Sequence, residues 1–393
     1  MLITIVTETY APDINGVAMT LGMLLTGLVE NGHRIQLVCT DSKDRFETSL
    51  PSGVDYYPVK GIPIPKYTEA KFGLPSKQLL KNLWSTQRPD AIYVATEGPL
   101  GFSAIKMANK FDIPAISGFH TNFHSYSKYY GLGLISRLVE RYLVSLHNKA
   151  ELTLTPTIGQ KHHLDNIGIN SVSVLGRGVD TTLFSPSRRS MSLRMSWGVV
   201  NDHEPVLLYV GRIAAEKNLR LAVETYNMMR KTNDKLKFVL VGDGPLLNKL
   251  QKENPHFIFA GMKKGEELAK YYASSDIFVF PSVTETFGNV VLEAMASGLG
   301  VIAYDYAAAN MHVKHGINGM TAQLNNKYEF ISNACDYLGC TDYLAEIKNE
   351  AAKYAINQSW SKVNQKFENL LLTQAFKSHN EFLVSRESIQ SQV

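Results

Sequence analysis

Along the chain, apolar β-branched runs of four to seven residues alternate with stretches whose apolar residues recur at helical spacing. The runs are nearly continuous, as strands are when helices cover both faces of a parallel sheet. In the first half they are LITIVTE (2–8), RIQLVCT (34–40), AIYVATE (91–97), PAISGFH (114–120), LTLTPT (152–157) and SVSVLGR (171–177). The second half restarts with VLLYVGR (206–212), FVLVGDG (238–244), HFIFAG (256–261), IFVFPS (277–282) and GVIAYD (300–305). Between them SPSRRSMSLRMSWGVVNDHEP is polar and has no sustained strand signal. The pattern predicts an α/β chain of two doubly wound, Rossmann-like halves, residues 1–185 and 204–356, joined by a linker with a short helix at 186–203. Residues 357–393 read as a helical tail that covers one domain or crosses back to the first, with frayed last residues.

In an open parallel sheet, ligands bind beyond the carboxyl ends of the strands, where helix N-termini also present free amides. There the first half places Glu8, Thr9 and Asn15-Gly16-Val17, then Thr96-Glu97-Gly98, then His120. The second half places Arg212, Gly242-Asp243-Gly244 and Glu285. Two such edges facing one another predict an interdomain cleft.

The stretch ETFGNVVLE sets Glu285 at a strand end and Glu293 on the following helix. Were the whole stretch helical, the carboxylates would stand roughly 12 Å apart along the axis. A glycosidase pair needs about 5 to 9.5 Å. The acids are therefore expected to grip two ends of an extended ligand, with free amides near Gly288 and Asn289 favouring an anion between them. Arg212 and Lys217, five residues apart in a loop, suit a diphosphate. Asn15-Gly16 can bring bare backbone to the same group. A sugar hydroxyl for Glu285 and a ribose diol for Glu293 complete a nucleotide sugar.

Composition narrows this without changing it. With 393 residues, 45% hydrophobic and 19% charged, the chain is an ordinary globular protein long enough for two cores. A net charge of +4 without a basic arm gives no support for a nucleic-acid partner. Cys39, Cys335 and Cys340 show no metal-ligand spacing and suit a reducing compartment. The first residues carry no signal-peptide pattern and no window is apolar enough to span a bilayer, so a cytoplasmic location is expected.

At these motifs the chain resembles the retaining family 4 glycosyltransferases of GT-B fold. ETFGNVVLEAMASG is similar to their E-x7-E motif and YVGRIAAEKNL to their diphosphate loop. TETYAPDINGVAMTLGMLLTGLVENGH, TEGPLG, SGFHTNFHSYSKYYGLG, VLGRGVDTTLFSP, LVGDGP and FAGMKKGEELAKYYASSD resemble the GDP-mannose-dependent α-mannosyltransferases, relatives of the sulfolipid synthases. The likeness runs to about residue 322. It implies that Gly16 contacts the donor phosphates, that His120 lies near the transferred sugar, and that Arg212 and Lys217 neutralise the diphosphate. Glu285 would hold sugar hydroxyls and Glu293 the ribose. The implied donor is GDP-mannose and the acceptor a lipid or saccharide, with no cofactor and no metal.

Competing readings stay open. Glu285 and Glu293 alone suit a solvated loop and a helix ion pair, and His120 a satisfied strand-end histidine. His120 and His124 lack the glutamate of HExxH, so zinc is not expected. Gly242-Asp243-Gly244 is a turn or a ligand contact, and Glu97 a helix cap or a ligand group. The segment from Tyr126 to Lys149, with Tyr129, Tyr130, Lys128, Arg137 and Arg141, is a surface helix or a site for the inner face of a membrane. Rival functions are a UDP-sugar-dependent diacylglycerol glycosyltransferase, a phosphorylase or epimerase, and a non-catalytic nucleotide-sugar sensor.

Overall fold

The computed structural model describes residues 1–13, 15–41, 50–64, 67–120, 136–339 and 341–390. The chain divides into two compact units, residues 1–176 with 360–393, and residues 177–359.

The first unit contains β1 (Leu2–Thr7), β2 (Arg34–Thr40), β3 (Val54–Val59), the antiparallel pair β4 (Gly61–Ile64) and β5 (Tyr67–Gly73), then β6 (Ala91–Val94), β7 (Ala115–Gly118), β8 (Leu152–Thr155) and β9 (Val172–Val174). All but the hairpin pair form one parallel sheet in the order β3-β2-β1-β6-β7-β8-β9. Successive residues point to opposite faces. Ile3, Ile5, Tyr93 and Ile116 therefore fill one core layer, and Val6, Val38, Ile92 and Val94 the other.

The second unit repeats the plan with β10 (Val206–Val210), β11 (Lys237–Val241), β12 (Ile258–Gly261), β13 (Ile277–Phe280), β14 (Gly300–Tyr304) and β15 (Met320–Ala322), parallel in the order β12-β11-β10-β13-β14-β15. In both sheets the strand order reverses beside the first strand, between β1 and β6 and between β10 and β13. Those are the switch points at which open sheets bind ligands.

Three features escape the apolar pattern. β3 is an edge strand whose VDYYPV includes Asp55 and Pro58, which an edge tolerates because no further strand of the sheet needs its outer N–H groups. β15 has only three residues, and the hairpin β4–β5 lies outside both large sheets.

Residues 186–203 carry a 3-10 turn, Pro186–Arg188, and the helix Met191–Ser196. They are fastened to the second unit through Asp276, which accepts from Arg189 (3.1 Å), Arg194 (3.0 Å) and Lys348 (3.0 Å). Burial pushes the Asp276 carboxyl up, but these three cations outweigh it and hold the group below its ordinary range. Arg194 is fully buried and also donates to the carbonyls of Asp202, Glu204 and Ser274.

The tail is one helix, Trp360–Gln390, in the first unit. It lies on the helix Gly16–Glu30, where a Cβ on Gly27 would overlap Asn364. Glu368 holds His33 at 2.7 Å and Asn31 at 2.6 Å. Phe367 and Leu371 are fully buried, and Phe367 meets Tyr93 edge-on at 4.8 Å between ring centres. Phe367→Ala is expected to cost about 3–5 kcal/mol in urea unfolding, while Phe376→Ala, on the same helix but 63% exposed, stays within about 0.5 kcal/mol. Equal losses would show that the helix is not seated through Phe367.

Candidate active site

In the second unit, the loop after β10 carries Gly211 and Arg212 and packs against the loop after β11. A Cβ on Gly242 would overlap the Gly211 carbonyl, and one on Gly244 the Ile213 carbonyl, with both glycines at positive φ. Close loop packing thus accounts for the Gly-Asp-Gly run as a turn. Arg212 is half exposed and donates to Glu216 at 3.1 Å. Lys217 ends the 3-10 turn Ala215–Lys217 and pairs with Glu285. Asn218, left-handed at φ 54°, reaches the Pro281 carbonyl beyond β13 (3.3 Å). Thr284 donates to the Glu216 carbonyl (3.2 Å), and Tyr306 donates to that of Glu285 (2.9 Å). The β10/β13 switch point therefore holds Arg212, Lys217, Glu216 and Glu285 in one bonded set, each cation matched by an acid. Sequence spacing brought out the cations and Glu285 but not their pairing, which depends on contact between distant loops.

The helix after β13 begins at Asn289, with Gly288 at φ 92° before it. Residues 285–288 are not helical, so the axial spacing of roughly 12 Å expected for Glu285 and Glu293 does not apply. Gly288 is required there: its conformation is left-handed and a Cβ would stand 3.2 Å from the Phe280 ring. Its cap residue is Gly288, so no side chain at the cap position accepts from the first-turn amides. Glu293, one turn further on, accepts from the buried Tyr272 hydroxyl at 2.9 Å. Burial raises its carboxyl from the ordinary 4.5 to about 7, against the lowering effect of that hydrogen bond.

In the first unit, Gly16 opens the helix Gly16–Glu30, exposed and with nothing within 4 Å of where a Cβ would stand. The Asn15 side chain caps this helix by accepting from Val17 (3.1 Å) and Ala18 (2.9 Å). His120 is buried two residues past β7, with Nε2 at 2.7 Å from the Tyr93 hydroxyl. Thr121, Asn122 and His124 lie outside the described residues, as do Tyr126, Lys128, Tyr129 and Tyr130.

The β1/β6 switch point holds two buried acids that the sequence placed 89 positions apart, Glu8 and Glu97. Burial is the main reason that both are raised, Glu8 to about 7 and Glu97 to about 8, and the charge of Glu8 adds to the rise of Glu97. Glu8 accepts from the backbone N–H of Leu100 (3.3 Å), Gly73 (3.2 Å) and Gly98, and from the Thr96 side chain. It thereby satisfies the start of the helix Pro99–Lys110 from another strand. The cap suggested for Glu97 is thus supplied by Glu8, a pairing that no local motif announces. The Glu97 carboxyl instead accepts from its own backbone N–H and from that of His120, while Tyr142 on the helix Ser136–His147 donates to the Glu97 carbonyl at 2.7 Å.

Two Rossmann-like parallel units, each with its polar groups at the switch point, define the GT-B class. A family model described as Glycosyltransferase Family 4 matches residues 14–183, and one described as Glycosyl transferases group 1 matches residues 204–339. The chain is 35% identical over 308 residues to a GDP-mannose-dependent alpha-mannosyltransferase of Mycolicibacterium smegmatis, covering 78% of this chain and 80% of that one. It is 30% identical over 324 residues to an alpha-monoglucosyldiacylglycerol synthase of Streptococcus pneumoniae, covering 77% and 71%. The crystal structure of Anabaena HepE in complex with UDP matches the fold with a TM-score of 0.75 at 20% identity, covering 95% of this chain and all of that one. The chain belongs to the family 4 glycosyltransferases of GT-B fold.

Glu293 gives the site a pH signature. Its carboxyl binds a proton more tightly folded than unfolded, so its contribution to stability is full below about 4.5 and is lost as pH rises through about 7. Glu293→Gln keeps an acceptor for Tyr272 and removes the titration. Its stability relative to the parent is expected to grow by up to about 3 kcal/mol between pH 4 and pH 8. A difference that stays flat across this range in urea melts would refute the assignment.

Proposed function

We propose that the protein transfers a hexose, mannose from GDP-mannose, to a hydroxyl of a lipid or glycan with retention at the anomeric carbon. The observation that carries this is the β10/β13 switch point, where Arg212 and Lys217 adjoin Glu285 and the same loop leads into an uncapped helix bearing Glu293. The cations suit a diphosphate, the helix start favours the same anion, and the acids suit hydroxyls at either end. The choice of GDP-mannose is supported by the names of the mannosyltransferase relatives.

In this reading the bond from the anomeric carbon to the diphosphate oxygen breaks as the acceptor oxygen bonds to the same face. The acceptor proton passes to the departing diphosphate. Arg212, Lys217 and the amides near Asn289 stabilise charge as it develops on the leaving oxygen, the main electrostatic contribution to rate. Glu285 and His120 hold the hexose, Glu293 the ribose, and Gly16 admits the phosphates to bare backbone. Lys217 is already neutralised by Glu285, so donor binding is an exchange of partners: the diphosphate takes the lysine, and Glu285 turns to sugar hydroxyls.

Lys217→Ala is expected to weaken GDP-mannose binding roughly 10- to 150-fold, the loss of one charge-assisted contact. Glu285 is then left unpaired beside the anion, so Lys217→Ala with Glu285→Gln should bind GDP more tightly than Lys217→Ala alone. Parent-like affinity in Lys217→Ala calorimetry refutes the site. GDP should also raise the melting temperature more than UDP does. A UDP preference would instead favour a UDP-sugar donor, the second reading, which the diacylglycerol synthase relative supports.

A lipid acceptor at the membrane face is supported by the helix Ser136–His147, which exposes Arg137, Leu138 and Arg141 along one side. No helix among the described residues is long and apolar enough to cross a membrane. Each cation near an anionic surface contributes about 1 kcal/mol. Replacing Arg137 and Arg141 with glutamine should therefore weaken sedimentation with phosphatidylglycerol vesicles while sparing GDP binding. Equal sedimentation with neutral and anionic vesicles would point to a soluble glycan acceptor.

A further inference from the structure

The two acids at the β1/β6 switch point are buried alike but bonded differently. The Glu8 carboxyl is occupied by three backbone amides and a threonine, all of which hold the loop and helix around it. Glu97 is 6% exposed, and one of its carboxyl oxygens, Oε1, has no hydrogen-bond partner among the described residues. A buried polar atom of this kind is rare in native structures and is destabilising unless something satisfies it. Its position is also fixed: Tyr142 holds its own carbonyl, and the N–H of His120 holds its carboxyl. A group held in place by its neighbours and left with an open valence is placed for a ligand. It also stands where an open parallel sheet takes its ligands.

We propose that Glu97 is a substrate-contacting residue of the transfer reaction, its free carboxyl oxygen bonding a hydroxyl of a carbohydrate or alcohol substrate. This rests on the glycosyl-transfer reading and extends it, since the anion-binding cations and both motif glutamates belong to the second unit. The ligand chemistry is that of an uncharged hydroxyl. A neutral carboxyl both donates and accepts a hydrogen bond, which matches a hydroxyl, whereas a phosphate would be poorly served beside Glu8. Two sources offer such a group, the transferred hexose and the acceptor.

The test compares full-length parent, Glu97→Gln and Glu97→Leu. Calorimetry measures GDP and GDP-mannose binding. Initial rates are measured with methyl α-mannopyranoside and with dioleoylglycerol in phosphatidylglycerol vesicles, and melting temperatures are recorded in parallel. GDP affinity is expected to be unchanged in both variants. Glu97→Gln keeps an acceptor for the His120 N–H and should melt near the parent, whereas the leucine variant, which leaves that N–H without its acceptor, should melt lower. The kcat/KM of the leucine variant should fall at least about 100-fold, and that of Glu97→Gln about 10-fold, since the amide keeps a donor and an acceptor. If the hydroxyl belongs to the hexose, the preference for GDP-mannose over GDP disappears in the leucine variant. If it belongs to the acceptor, that preference persists and acceptor KM rises at least about 10-fold. A kcat/KM within twofold of the parent in both variants overturns the proposal. Absence of both GDP binding and transfer in the parent overturns the functional reading beneath it.

Discussion

Both units depend on one constraint, the burial of a parallel sheet on its two faces. Strands such as Ile277–Phe280 and Ala91–Val94 are buried along their whole length, and a polar side chain within them, such as that of Tyr93, bonds other groups of the protein. Groups available to a ligand gather at the strand ends, and the carboxyl ends are where the chain turns into the amide-rich starts of helices. Glu8, Glu97, His120, Arg212 and Glu285 all lie within about five residues of such an end because no other place in the sheet admits them.

Placing charge there creates a problem that the two units solve differently. In the second unit Lys217 is paired with Glu285, and Arg212 with Glu216, so neither of these cations stands without an acid. An unpaired charge in such a position would be costly. Self-pairing removes that cost but makes any incoming anion compete with a resident carboxylate. In the first unit Glu8 and Glu97 have no cation among their described partners, and burial raises both carboxyls, to about 7 and about 8.

The strands that make the two sheets were legible because continuous apolar runs mark doubly covered strands. IFVFPS and VLLYVGR needed no context, and the motif residues at their ends followed from the rule that ligands gather there. VDYYPV was not legible, because an edge strand half open to solvent mixes polar residues and proline with apolar ones. Residues 186–203 looked like a polar linker because Arg189 and Arg194 find their acid, Asp276, more than eighty positions later. Glu8 was read as one more strand-end group, although its carboxyl caps a helix from across the sheet. What escaped the sequence was in each case a polar group satisfied over a long chain separation, which no local spacing encodes.

The same consideration separates holding from binding among these polar groups. Asp276 and Glu8 have every visible valence engaged, and their neighbours are the backbone and side chains that they position. Lys217 and Glu285 are engaged with each other, and in the proposed reaction a diphosphate and sugar hydroxyls take over as their partners. Glu97 is engaged on one side only. Fully bonded groups bear the structure, mutually bonded groups can be redirected by a ligand, and half-bonded groups gain from one. Glu8, Glu97 and Asp276 are all buried beside strand ends, so the distinction between holding and binding among them rests on hydrogen bonding.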